Sequence, residues 1–125
     1  MGTQAKSNDT TTARGREAET LVARYLESRG LRVLEHNFRV RGGEIDLICR
    51  DGKVLVFVEV RLRSRGDFGG AGASITLAKR QRIILAARHF LAGKAEGDCR
   101  FDCVLLDALD SRCIEWLKNA FSADD

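Results

Sequence analysis

The chain has 125 residues, 44% of them apolar and 31% charged, a balance that suits one globular domain with a proper core and excludes a disordered or fibrous chain. No apolar run approaches the roughly 18 residues of a membrane span and no secretory leader opens the chain, so a cytoplasmic protein without a membrane partner is expected. Net charge is +3, but residues 29–97 carry fourteen basic and seven acidic side chains while residues 98–125 carry three and seven.

Residues 1–12 are polar and patternless and read as a disordered tail, which leaves 13–125 as a single domain. A first helix is expected over about Arg14 to Ser28. Ala18, Leu21, Val22, Tyr25 and Leu26 fall at i, i+3, i+4, i+7 and i+8, one buried stripe, and Gly30 stops it. Glu17 and Glu19 flank the stripe, and spacing does not choose between a surface acid and one that leans toward the core. Leu31 to Phe38 reads as a strand, and Arg41-Gly42-Gly43 bends the chain into a hairpin.

That β-hairpin is the run from Gly43 to Arg63. Asp51-Gly52 is a dipeptide that favours the tight two-residue loop between antiparallel strands. With those two as the loop, Ile48 pairs with Leu55, Asp46 with Phe57 and Glu44 with Glu59. Side chains alternate, so Glu44, Asp46, Ile48, Leu55, Phe57, Glu59 and Arg61 share one face. The other face is Ile45, Leu47, Cys49, Val54, Val56, Val58, Val60 and Leu62, wholly apolar and destined for burial. Facing carboxylates weaken a sheet. Asp46 and Glu59, on a diagonal about 7–8 Å long between Cα atoms, can converge on one ion. Hard cations such as Mg²⁺ or Mn²⁺ take oxygen ligands of this kind. A solvated charged face is the plainer alternative, but Ile48, Leu55 and Phe57 argue that part of it is covered.

The segment Ser64 to Ala73 is glycine-rich and reads as a mobile connector or a loop that closes on a substrate. It lacks the spacing of a P-loop. Thr76 can cap a second helix, about Leu77 to Ala92, with Ile83, Ile84, Ala87, Phe90 and Leu91 inward. Lys79, Arg80 and Arg82 lie in its first two turns, where cations oppose the helix dipole unless an anion is near. Arg100 to Leu106 and Cys113 to Leu117 complete the strands, and the order of helices and strands predicts an α/β or α+β domain. Cys49, Cys99, Cys103 and Cys113 read as reduced thiols, since no second pair or histidine completes a zinc site around Cys99 and Cys103. The arginines that surround the acidic hairpin suit a polyanionic partner held through phosphates.

A helix acid, then GGEIDLI, VFVEVR, the LAKRQRIILAA helix, CRFD and IEWLKNAF closely resemble the YraN family of small bacterial proteins, over about residues 14–121. That family is similar in turn to the restriction-endonuclease-like, Holliday-junction-resolvase-like superfamily. The resemblance implies a three-layer α/β domain, a mixed central sheet flanked by helices. By position it implies Asp46 and Glu59 as the acids of a D…(D/E)xK pattern, with Arg61 where the lysine belongs and Glu19 as the N-terminal helix acid. Glu19, Asp46 and Glu59 would then hold Mg²⁺ or Mn²⁺, and Asp46, Glu59 and Arg61 would be catalytic. Arg41, Arg63, Arg65, Lys79 and Arg82 are the expected nucleic-acid contacts.

The function expected is a divalent-metal-dependent nuclease acting on phosphodiester bonds, with DNA (branched or recombination DNA included) favoured over RNA and neither excluded by the residues. The alternative is a non-catalytic nucleic-acid-binding module that keeps the fold. Arg61 separates them: a guanidinium stays protonated and cannot act as a general base, although it can clamp a phosphate. A third reading pairs the hairpin acids with Arg61 and Arg63 as a structural network. Symmetric cutting of two strands would need a homodimer.

Overall fold

A computed structural model describes residues 13–63 and 75–123. The expected tail over 1–12 and the glycine-rich segment 64–73, Arg65 with it, lie outside the described residues. Helix α1 (Ala13–Ser28) leads into strands β1 (Arg32–Val40), β2 (Gly43–Asp51) and β3 (Val54–Leu62). Helix α2 (Leu77–Leu91) follows, then β4 (Cys99–Leu106) and β5 (Ile114–Phe121). The strands form one sheet in the order β1-β2-β3-β4-β5. All neighbours are antiparallel except β3 and β4, which run parallel. A parallel pair needs a long crossover, and α2 lies within it.

Period-2 alternation gives the sheet two apolar faces, and each takes one helix. Leu47, Cys49, Val56, Val58, Val104 and Leu106 are buried under Ala18, Val22, Ala23 and Leu26 of α1. Ile48, Leu55, Phe57, Phe101, Cys103 and Leu105 are buried under Ile83, Ala86 and Ala87 of α2. Phe57 lies at the middle of the second layer, with Phe90 edge-on at 6.2 Å and Phe101 at 5.5 Å between centroids. Full burial of such a side chain contributes about 1.5–3 kcal/mol. The protein is therefore α/β, a mixed five-stranded sheet with a helix on each side. Among the described residues no helix is long and apolar enough to cross a membrane.

Helix α2 is set unusually close to β2. A Cβ on Gly43 would lie 2.5 Å from the Arg82 carbonyl oxygen and 3.1 Å from the Ala86 nitrogen, so only glycine admits the helix at this distance. Thr76 caps α2 by accepting from the Lys79 N–H at 3.1 Å. That places Lys79 at the third position of the helix, on the side from which α2 meets the end of β2.

The hairpin forms, with a register two residues away from the expected one. Asp51 pairs with Val54, Arg50 with Leu55 and Ile48 with Phe57. The loop residues are thus Gly52 and Lys53, not Asp51 and Gly52. Gly52 has φ +62 at the first central position. A glycine with positive φ there and an ordinary residue after it is the type II′ pattern, whose twist matches that of the flanking strands. A slip of two residues keeps every side chain on its face.

One side chain does change face. Ile45 packs with the α2 layer and Leu47 with the α1 layer, although two residues of a regular strand point the same way. The break falls at Asp46, where the β2–β3 ladder ends with Leu47 and Val58. Level with it on β1, between His36 and Phe38, Asn37 sits at φ +51. Asparagine is one of the few residues with a side chain that tolerates that region.

Candidate active site

Three acids are buried where β2 and β3 part: Glu19 of α1 at 4% exposure, Asp46 of β2 at 3% and Glu59 of β3 at 6%. Acidic side chains are almost never this buried unless paired. Asp46 Oδ2 accepts a hydrogen bond from the Val60 backbone N–H at 2.8 Å. With the ladder open here, the carboxylate satisfies a donor that β2 would otherwise have met with its own backbone.

The two-residue register slip brings Asp46 level with Glu59 rather than diagonal to it, and the two carboxyls hydrogen-bond each other. Burial is the main cause that raises both. Glu59 is pushed from 4.5 to about 9, with the Asp46 charge adding to the effect of burial. Both carboxyls are thus held above the usual carboxylate range, and the pair takes up a proton more readily than either acid would alone. Glu19 is raised from 4.5 to about 7, by burial first and the Asp46 charge second. A hydrogen bond with the Asn37 side chain and the Arg39 charge pull it back.

Lys79 reaches these acids closely. Lys79 Nζ lies 3.7 Å from Glu59 Oε2 and 3.5 Å from Glu44 Oε2. Burial lowers its pKa, but Glu59, Asp46 and Glu44 together outweigh that and hold the ammonium above its ordinary value. Arg39 Nε approaches the other oxygen of Glu44 at 4.0 Å. A lysine in the first turn of a helix works against the dipole, and at the third helical position it also displaces the glutamate that would complete a capping box. The acids, not the helix, account for Lys79.

The structure brings Glu19, Asp46, Glu59 and Lys79 together. It places the other expected site residues elsewhere. Arg61 is half-buried two residues beyond Glu59, and among the described residues no ion pair joins it to either acid. Arg63 turns away to Asp107 at 2.9 Å and Glu115 at 3.8 Å, where it fastens the end of β3 to the β4–β5 connection. The hairpin acids and these two arginines therefore form no common network among the described residues. Arg41, in the β1–β2 turn, and Arg82, on α2, are exposed on either side of the close contact at Gly43. Arg65 is outside the described residues.

Two contributors were absent from the expected ligand and contact residues. Glu44 shares a face with the acids, yet its partnership with α2 depends on a helix more than thirty residues away. Asn37 left one signal, an asparagine inside an otherwise β-compatible run.

Among the described residues no three His, Cys, Asp or Glu side chains form a ready-made metal cluster. The donor chemistry nevertheless suits a hard divalent ion, which takes one or two carboxylates and keeps several waters. Asp46 and Glu59 are such a pair, and Glu19 is a third acid within their field.

A mixed sheet between two helices, with buried acids and one lysine where two strands separate, defines an α/β domain with a carboxylate-lysine site. The family model for "Uncharacterised protein family UPF0102" matches residues 18–106, a span that contains all of these residues. A UPF0102 protein of Dechloromonas aromatica is 72% identical over 122 residues, covering 98% of this chain and 99% of its own. One from Methylobacillus flagellatus is 53% identical over 109 residues, 87% of this chain and 96% of its own. One from Nitrosospira multiformis is 48% identical over 112 residues, 89% and 94%. The chain belongs to the UPF0102 family, the YraN group that its motifs resemble.

Proposed function

We propose that the protein is a restriction-endonuclease-like nuclease that hydrolyses phosphodiester bonds of DNA with a divalent metal ion. The observation that carries this reading is the buried Asp46–Glu59 pair, two acids brought level at the point where the sheet opens, with Asp46 fixed by the Val60 N–H. Such a pair costs stability when ionised, and a cation that neutralises it would relieve the cost. Perturbed carboxyls of this kind cluster at catalytic sites.

Asp46 and Glu59 would hold Mg²⁺ or Mn²⁺, with Glu19 as the third acid. The ion would polarise the phosphate and lower the pKa of its water. Asp46 would remain fixed by the Val60 N–H, which orients one oxygen and leaves the other for the ion. Arg61, Arg41 and Arg82 suit contacts to backbone phosphates on either side, since a guanidinium matches a phosphate in bidentate fashion. The competing reading, a module that binds nucleic acid without cutting it, draws on Arg61 in place of the motif lysine.

The test is cleavage of labelled duplex, single-stranded and four-way-junction DNA and structured RNA, in Mn²⁺ and in EDTA, by the wild type and Asp46→Asn. Asparagine can still accept from Val60, so the fold is spared. Metal-dependent cutting lost in the variant supports the nuclease. Salt-sensitive retention of one substrate without cutting supports the binding module.

A further inference from the structure

We infer that Lys79, delivered from α2 and anchored by Glu44, does the work that the motif lysine would do, and is the cation that meets the reacting phosphate. The inference rests on the nuclease reading and adds to it a residue from another element of the fold. The position that should carry a lysine holds Arg61, and no ion pair brings that guanidinium to Asp46 or Glu59 among the described residues. Lys79 Nζ is within 4 Å of Glu59 and Glu44 instead.

Three features single out this lysine. Local helix preferences oppose it twice, through the dipole and through the lost capping glutamate. Its side chain is only 29% exposed, so the ammonium is directed inward although water was available. The helix that carries it is held close to β2 by the Gly43 contact, a spacing that no other residue at 43 would permit.

Glu44 gives the arrangement its second use. Were Glu59 to hold a divalent ion, Lys79 would still have Glu44, the second of its two carboxylates. Glu44 then acts as a positioning residue, holding the ammonium beside the site rather than releasing it to solvent. The ammonium is free to donate to a non-bridging phosphate oxygen and offset the charge that develops there. Before the ion arrives, the same ammonium is its competitor for Glu59.

The test uses the full chain as wild type, Lys79→Met, Glu44→Gln and Asp46→Asn. Mn²⁺ affinity is measured without DNA, by titration followed through the signal of the free ion, and single-turnover cutting is measured on whichever substrate the wild type cuts. Lys79→Met should bind Mn²⁺ about tenfold more tightly, because a competing charge a few ångströms away is removed. It should cut at least about a hundredfold more slowly at saturating substrate, the loss typical of one donor to a developing charge. In a Lys79→Ala protein, which leaves room for it, ethylammonium should restore part of that rate. Glu44→Gln should slow cutting less and leave substrate retention near wild type.

A Lys79→Met protein that cuts at the wild-type rate while Asp46→Asn is inactive would overturn the inference and leave the nuclease standing. If the wild type cuts nothing, the nuclease reading falls and the Mn²⁺ titration decides Lys79 alone. Tighter binding keeps it as the resident cation of the site, and unchanged affinity ends the assignment.

Discussion

Asp102 on β4 and Asp46 on β2 are both buried carboxylates, at 0% and 3% exposure, yet their surroundings differ. Asp102 accepts from Arg100 Nε with both oxygens at 3.0 and 3.2 Å, from Trp116 Nε1 at 2.9 Å and from the Asn119 N–H at 2.9 Å. Arg100 continues to Asp51 at 3.0 Å. Asp46 has one backbone N–H and a second acid beside it, with the nearest ammonium shared among several acids. The same sheet thus surrounds one buried carboxylate with four donor contacts, although Arg100 Nη2 itself lacks a partner, and gives the other far fewer. Topology does not impose the shortage, and the proposed divalent ion at the Asp46–Glu59 pair would relieve it.

The contrast predicts opposite signs on mutation. Asp102→Asn removes the charge that Arg100 faces and turns an acceptor oxygen into an amide NH₂ beside N–H donors. A loss of about 3–5 kcal/mol is expected, as for one partner of a buried ion pair. Urea unfolding at pH 7 measures it, and a loss below about 1 kcal/mol would erase the distinction between the two clusters.

Glu59→Gln should instead stabilise the protein above neutral pH, by about 1–2 kcal/mol at pH 8, while abolishing cutting. Glu59 binds its proton more tightly in the folded state, with its pKa moved from 4.5 to about 9. Between those values the folded state holds a proton that the unfolded chain has lost, so wild-type stability falls as pH rises. The fall is at most about 1.4 kcal/mol per pH unit for one such group and levels off beyond about pH 9. Glu19, raised to about 7, adds a decline of the same sign that is complete sooner. Unfolding midpoints at pH 5, 7 and 9 should drop for wild type and drop less for Glu59→Gln. Parallel profiles would mean that Glu59 is not the group that titrates.

Much of this was legible in the sequence because it is local. Alternation along Gly43–Arg63 assigned nearly every side chain to its face, and a two-residue error in register left those faces intact. The turn itself was misplaced because Asp51-Gly52 and Gly52-Lys53 are both acceptable two-residue loops, and the choice rests on which central position takes the positive φ. Ile45 was assigned to the wrong face because alternation fails only where the ladder opens, and that depends on Asn37 and on α2 lying against Gly43. The choice between Glu17 and Glu19 likewise needed the sheet. Glu19 is buried with Ala18, Val22 and Ala23, on a face turned from the stripe that Leu21 and Tyr25 suggest. Lys79 stood out as a cation against the helix dipole and Glu44 as an acid on the hairpin face, but their pairing was invisible until the crossover brought them together.

Asn37 tests the opening of the strands with a smaller effect. Its φ of +51 costs an alanine about 1 kcal/mol and a glycine nothing. Its side chain also hydrogen-bonds Glu19. Asn37→Ala should therefore lose about 1–2 kcal/mol and Asn37→Gly distinctly less, both read by urea midpoint. Equal losses would show that the backbone angle carries no share and that the hydrogen bond to Glu19 is what matters.

The smallest change in stability, and the sharpest in binding, is expected at the exposed arginines. Arg41 and Arg82 flank the contact between the β1–β2 turn and α2 and touch neither carboxylate cluster. Replacing both with glutamine should move the unfolding midpoint by less than about 0.5 kcal/mol. If each meets a phosphate, the logarithmic dependence of DNA retention on salt should flatten by about 1.8 for the pair. A double variant with the wild-type slope would move the nucleic-acid face away from α2. The buried acids would then open toward a surface that the basic helix does not supply, and Arg61, on β3, would become the leading phosphate contact.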